Sequence, residues 1–170
     1  LSASPDAPAG RRKGGARAQL PLLDRLLDAD PDALEPPPPT AAEALEQLHA
    51  AVRRDLEALL NARRRRRPLP PLLLELPASL VSYGIPDPAS GAYALAESRA
   101  SLAREVEATI RRFEPRLTKV TAVLAGDTDD LGGTLRLKID AVLRADPVPE
   151  PVSFETLLEP VTRDVTVREA

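Results

Sequence analysis

The spacing of apolar residues changes once along this chain, at Glu114-Pro115-Arg116. Before it, Leu102, Val106, Ile110 and Phe113 recur every three or four residues, the repeat of one helix face. After it, Leu117, Lys119, Thr121 and Val123 alternate with Thr118, Val120, Ala122 and Leu124, the two-residue period of a strand. Pro115 lacks a backbone N–H and disfavours helical geometry at Glu114, so a helix over about 97–113 ends here. In an extended chain Glu114 and Arg116 point to the same side, which holds two opposite charges together at the joint. The plain reading is a helix stop with solvated charges; the functional reading is a fixed polar recognition point.

The rest of the chain keeps this division. Thr40 with Glu43 has capping-box spacing, and Leu45, Leu48, Val52, Leu56, Leu59 and Leu60 form one helical face, predicting a helix over 40–62 with Asn61 as its C-terminal cap. A shorter helix within 20–28 gathers Leu22, Leu23, Leu26 and Leu27 on one face, expected to dock on the domain. Pro36–Pro39 form a stiff spacer. In the connector 72–88, Leu80, Val81, Tyr83 and Ile85 are expected to pack on the core, with Gly84 free to take positive φ.

After Pro115, the segment 134–143 turns Leu135, Leu137, Ile139 and Ala141 inward and Arg136, Lys138 and Asp140 outward, as a half-exposed antiparallel strand does. Segments 152–158 and 164–168 complete a terminal hairpin, whose last strand offers an edge for strand addition or is protected by Arg163 and Arg168. The expected fold is α+β: N-terminal helices packed on a small, mostly antiparallel C-terminal sheet with a terminal hairpin. Residues 1–19, rich in Ala, Gly, Ser and Pro, read as a disordered tail, and 20–170 as a single domain.

Composition removes several function classes. There is no cysteine and a single histidine, His49, which excludes thiolate chemistry and a histidine-based metal cluster. His49 therefore reads as a surface or boundary residue. The loop 126–133 holds Asp127, Asp129 and Asp130 but lacks the internal glycine and downstream glutamate of an EF-hand, so a polar turn is expected. A net charge of -3 gives no global drive toward nucleic acid, and the Arg63–Arg67 run, without neighbouring aromatics, reads as a charged loop. No apolar run is long enough to span a bilayer, and no hydrophobic signal segment opens the sequence.

Three stretches in order, Arg54-Asp-Leu-Glu-Ala-Leu-Leu-Asn-Ala-Arg63, Ser79-Leu-Val-Ser-Tyr-Gly-Ile-Pro-Asp87 and Phe113-Glu-Pro-Arg-Leu117, together resemble the TssE family of bacterial type VI secretion baseplate subunits. That family is similar in turn to the baseplate wedge protein of contractile phage tails. Leu22-Leu-Asp-Arg-Leu26 and Val152-Ser-Phe-Glu-Thr156 extend the resemblance over roughly 20–168. It implies a non-catalytic, cytoplasmic scaffold without cofactors, assembled on the membrane-anchored apparatus. Its implied partners are the wedge subunits TssF, TssG and TssK and the sheath, whose polymerisation it would seed by strand exchange. Glu114, Pro115 and Arg116 match the family's Glu-Pro-Arg signature, implicated in docking on the wedge core.

The competing expectation is a lysozyme-like peptidoglycan hydrolase with Glu114 as the acid. Such an enzyme needs two carboxylates facing each other across a sugar, one of them kept protonated. Arg116 beside Glu114 favours the ionised state instead, no second carboxylate is identifiable as its partner, and aromatic residues for sugar stacking are scarce.

Overall fold

Thr40 starts the longest helix as its spacing with Glu43 predicts. The Thr40 Oγ1 accepts from the Glu43 N–H at 3.3 Å, while Glu43 accepts from the Thr40 N–H at 2.7 Å. The computed structural model describes residues 22–26, 40–64, 68–87, 96–125, 135–145, 148–158 and 165–169. The expected tail, polyproline spacer, Arg65–Arg67 and the loop 126–133 lie outside these residues.

Among these residues three α-helices precede four strands: α1 (Leu22–Leu26), α2 (Ala41–Asn61), α3 (Ala96–Phe113), β1 (Leu117–Ala125), β2 (Leu135–Leu143), β3 (Glu150–Leu158) and β4 (Val165–Glu169). The strands pair antiparallel in the order β1-β2-β3-β4, so the architecture is α+β with a terminal hairpin. β3 starts at Glu150, earlier than the expected Val152. Pro151 is tolerated there because β4 runs alongside only from Phe154 onward.

The sheet is apolar on one side. Val120, Ala122, Leu137, Ile139, Ala141, Val152, Phe154, Val165 and Val167 are buried against α2 and α3, which contribute Leu48, Val52, Leu56, Leu59, Leu60, Leu102, Val106 and Ile110. On the other side Arg136, Lys138, Asp140, Glu155 and Arg168 face solvent. Within α2, Ala44 is buried and Leu45 only half-buried.

Alternation breaks inside β1. Leu117 and Thr118 pair with Leu143 and Val142, but Thr121 pairs with Asp140, so one residue is extra at Lys119–Val120. Lys119 takes φ 51°, in the left-handed region. Leu117 and Val120, three apart, are therefore both buried, while Val123 is exposed.

Two expectations about connectors need correction. Leu22, Leu23 and Leu26 of α1 do not dock; they are 70%, 59% and 72% exposed, and α1 is held instead through Asp24. Leu80 and Val81 are also exposed, because two short 3-10 turns (Leu76–Ala78 and Leu80–Ser82) bond internally to Leu76 and Ser79 and turn those side chains out. Ile85 is fully buried as expected, and Tyr83 packs edge-on against Phe113 at 5.3 Å. Ile85 bridges to Arg63 in parallel, and Gly84 beside it has φ +97°. A Cβ on Gly84 would lie 2.3 Å from the Ala62 carbonyl oxygen, so a close backbone approach requires glycine here.

Candidate functional site

Glu114-Pro115-Arg116 forms a tight turn in place of an extended segment. The Leu117 N–H donates to the Glu114 carbonyl at 3.1 Å, with Pro115 at the second position, where its fixed φ suits a turn. The turn still brings the two charges together, because it folds the Arg116 side chain back over Glu114. Arg116 Nε donates to Glu114 Oε1 at 2.6 Å and Nη2 donates to Oε2, a two-pronged pairing of guanidinium and carboxylate. The backbone N–H of Arg116 adds a third bond to Oε1 at 3.3 Å. Glu114 is only 4% exposed, Pro115 is exposed and Arg116 is half-buried.

The pair continues into a ladder of alternating charge. Arg116 Nη2 also donates to Asp55 Oδ2 on α2 at 2.6 Å. Arg54 donates from Nε and Nη2 to Asp55 Oδ1 at 3.1 and 2.9 Å. It donates through Nη1 and Nη2 to both oxygens of Asp24 on α1, at 2.6 and 3.2 Å. Glu114, Arg116, Asp55, Arg54 and Asp24 thus link the end of α3, the middle of α2 and α1.

Each cation is held charged by its neighbours. Hydrogen bonds to Glu114 raise the Arg116 pKa against the opposing effect of burial, and Asp55 adds to the rise. Bonds to Asp24, then to Asp55, raise that of Arg54. The hydrogen bonds from Arg54 hold Asp24 below the usual carboxylate range. Burial raises the Tyr83 phenol, with the Asp55 and Glu114 charges adding.

Beside the pair lies a hollow of about 350 Å³, lined by Asp55, Leu59, Tyr83, Phe113 and the turn itself. Nη1 of Arg116 is buried and finds no hydrogen-bond partner among the described residues. Asp55, Arg54 and Asp24 were not singled out from sequence as site residues. Arg54-Asp55 does open the first of the stretches quoted above, but its approach to Arg116 spans 61 residues.

The arrangement suits holding and recognition. Both oxygens of Glu114 accept from Arg116, and Asp55 shares the same guanidinium. Among the described residues no group of His, Asp or Glu is placed to hold a metal ion.

The model of the baseplate wedge protein gp25 family matches residues 46–148, more than half of the chain, from α2 through β2. The chain belongs to the gp25 baseplate wedge family. TssE is the type VI secretion member of that family. No curated protein matches the chain. Membership in the gp25 family makes this a structural protein of a phage-tail-like baseplate, working through contacts with other baseplate components. The matched segment contains the Glu114–Arg116 turn together with Asp55 and Arg54; β3 and β4 lie beyond it. No helix among the described residues is long and apolar enough to cross a membrane.

The other sequence expectations resolve more simply. His49 sits at a boundary, bonded to Glu169 at 2.6 Å and Glu150 at 3.2 Å. Arg63 and Arg64 of the basic run are engaged internally, Arg63 with the Leu60 carbonyl and Arg64 with Glu105 at 2.7 Å.

Proposed function

We propose that this protein is the TssE-type subunit of a type VI secretion baseplate, a cytoplasmic scaffold on the membrane-anchored apparatus that joins the wedge to the sheath and seeds sheath assembly. Its wedge-facing point is Glu114-Pro115-Arg116, and its partners there are TssF and TssG, with TssK in the same wedge. The observation that carries the reading is a prebuilt, rigid fork. Arg116 is fixed by Glu114 and Asp55, and the exposed Pro115 projects beside a hollow that combines Leu59, Tyr83 and Phe113 with these charges. Ordering the arginine in advance lowers the entropy cost of docking.

Arg116 also braces the fold, so removing it confounds binding with stability. The cleaner test is Arg116→Lys, which keeps the charge and loses the fork, together with Pro115→Ala on the exposed turn. Both variants should fold, and both should lose most TssF and TssG in a co-purification. Full retention of both partners by both folded variants would remove this turn from the interface.

A further inference from the structure

Both edges of the sheet are bonded to side chains of the chain's own helices. On β4 the Asn61 amide donates to the Val165 carbonyl at 2.8 Å and its oxygen accepts from the Val165 N–H at 2.9 Å, while Glu57 accepts from the Val167 N–H at 3.2 Å. On β1, Glu107 accepts from the Ala122 N–H at 2.9 Å, and Arg111 donates to the Val120 carbonyl. α2 and α3 cover the inner face. Among the described residues nothing covers the outer face, where Thr121, Val123, Arg136, Lys138, Glu155 and Arg168 are all exposed.

The strand register sets out the charges of that face in rows. Lys138, Glu155 and Arg168 lie side by side across β2, β3 and β4, and Arg136, Leu157 and Thr166 form the next row. From strand spacing and rise, the three cations stand roughly 7–12 Å apart around Glu155, with half-buried Leu157 beside it. They line a hollow of about 480 Å³. The chain carries a net charge of -3, yet this hollow sets three cations against one carboxylate. Lys138 has Asp140 at 3.6 Å, and Asp140 is also held by Ser153 at 2.7 Å. Among the described residues Arg136, Arg168 and Glu155 form no ion pair. Arg168, expected to guard the β4 edge, belongs to this face instead.

We propose that this outer face binds an acidic segment of a partner protein, which sets an apolar side chain on Leu157 and carboxylates on Arg136 and Arg168. Charge complementarity selects the class of partner. Each guanidinium matches a carboxylate in two-pronged geometry. Glu155 selects against nucleic acid. A phosphate backbone carries a charge at every nucleotide, and Glu155 stands among the cations where one of them would fall. Carboxylates of a protein segment can be spaced to either side of it. The surface lies across the sheet from α2 and its contact with Arg116, so it does not depend on what docks at the Glu114–Arg116 turn.

The test uses the full chain and a fluorescent peptide in which a leucine is flanked on each side by a pair of glutamates. The glutamine version of the peptide and a single-stranded oligothymidylate are the comparisons. The unaltered chain should bind the glutamate peptide, more weakly as salt rises, and the glutamine peptide roughly tenfold less well. Arg136→Gln combined with Arg168→Gln should weaken the glutamate peptide roughly tenfold. Glu155→Gln should tighten it several-fold by removing a like charge, and Leu157→Ser should weaken it several-fold by removing the apolar contact. Arg136→Lys with Arg168→Lys keeps both charges and loses the forks, so it should fall between; it also serves if the glutamine pair does not fold. Equal affinity of the unaltered chain and the glutamine pair, or no binding of the glutamate peptide up to roughly millimolar concentration, overturns the proposal. Oligothymidylate bound as tightly as the peptide overturns it too, because the face then accepts any polyanion.

Discussion

Arg116 reaches Asp55 at 2.6 Å across 61 residues of sequence while holding Glu114 beside it. One guanidinium thus fastens the α3–β1 turn to the middle of α2. Removing it strands the nearly buried Glu114 carboxylate without a counter-charge. Arg116→Ala should therefore cost about 3–5 kcal/mol in urea unfolding, the penalty typical of breaking a buried pair. Asp55→Asn leaves Glu114 and Arg116 paired and should cost only about 1 kcal/mol. Pairing Arg116→Leu with Glu114→Gln should recover part of the loss, because no unpaired buried charge remains.

His49 predicts a dependence on pH. Burial lowers its pKa, but hydrogen bonds to Glu169 and Glu150 outweigh burial and raise it above 6.5 in the folded protein. A raised folded value means that the clamp stabilises fully below about pH 6.5 and is lost as pH climbs through the folded pKa. Thermal melts between about pH 5.5 and 8.5 should show this loss in the unaltered chain and lack it in His49→Gln. The loss loosens the Glu169 end of β4 from α2.

Gly84 has no tolerated replacement. Its φ of +97° and the 2.3 Å approach to the Ala62 carbonyl both exclude a Cβ. Gly84→Ala should destabilise by about 2 kcal/mol or more in chemical denaturation, by forcing apart the Arg63–Ile85 bridge.

Lys119 is the reverse case. A non-glycine residue at φ 51° carries the strain of the left-handed region. Lys119→Gly should raise the denaturation midpoint by an amount worth about 1 kcal/mol, and Lys119→Val should lower it, since a β-branched side chain fits that region worst.

Much of this architecture is written in local spacing. The Thr40–Glu43 box, the stop at Pro115 and the alternation through Leu137, Ile139 and Ala141 each concern neighbours in sequence, and each appears where expected. The bulge was hidden because an inserted residue leaves both alternating sets of β1 plausible; only the pairing with β2 reveals that Leu117 and Val120 share a face. The leucines of α1 misled because periodicity marks an apolar face without saying what covers it. At the site, Glu114 and Arg116 were legible as two residues around a proline. Their partners Asp55, Arg54 and Asp24 were not, since a charged residue on a helix surface looks the same whether it meets water or a folded-back arginine.

The bonds from α2 and α3 to the two borders of the sheet give this subunit a stopping rule. A protein whose sheet ends in an open edge can pair with its own copies. Among the described residues the sheet stops at four strands, and side chains of the chain's own helices bond to both of its borders.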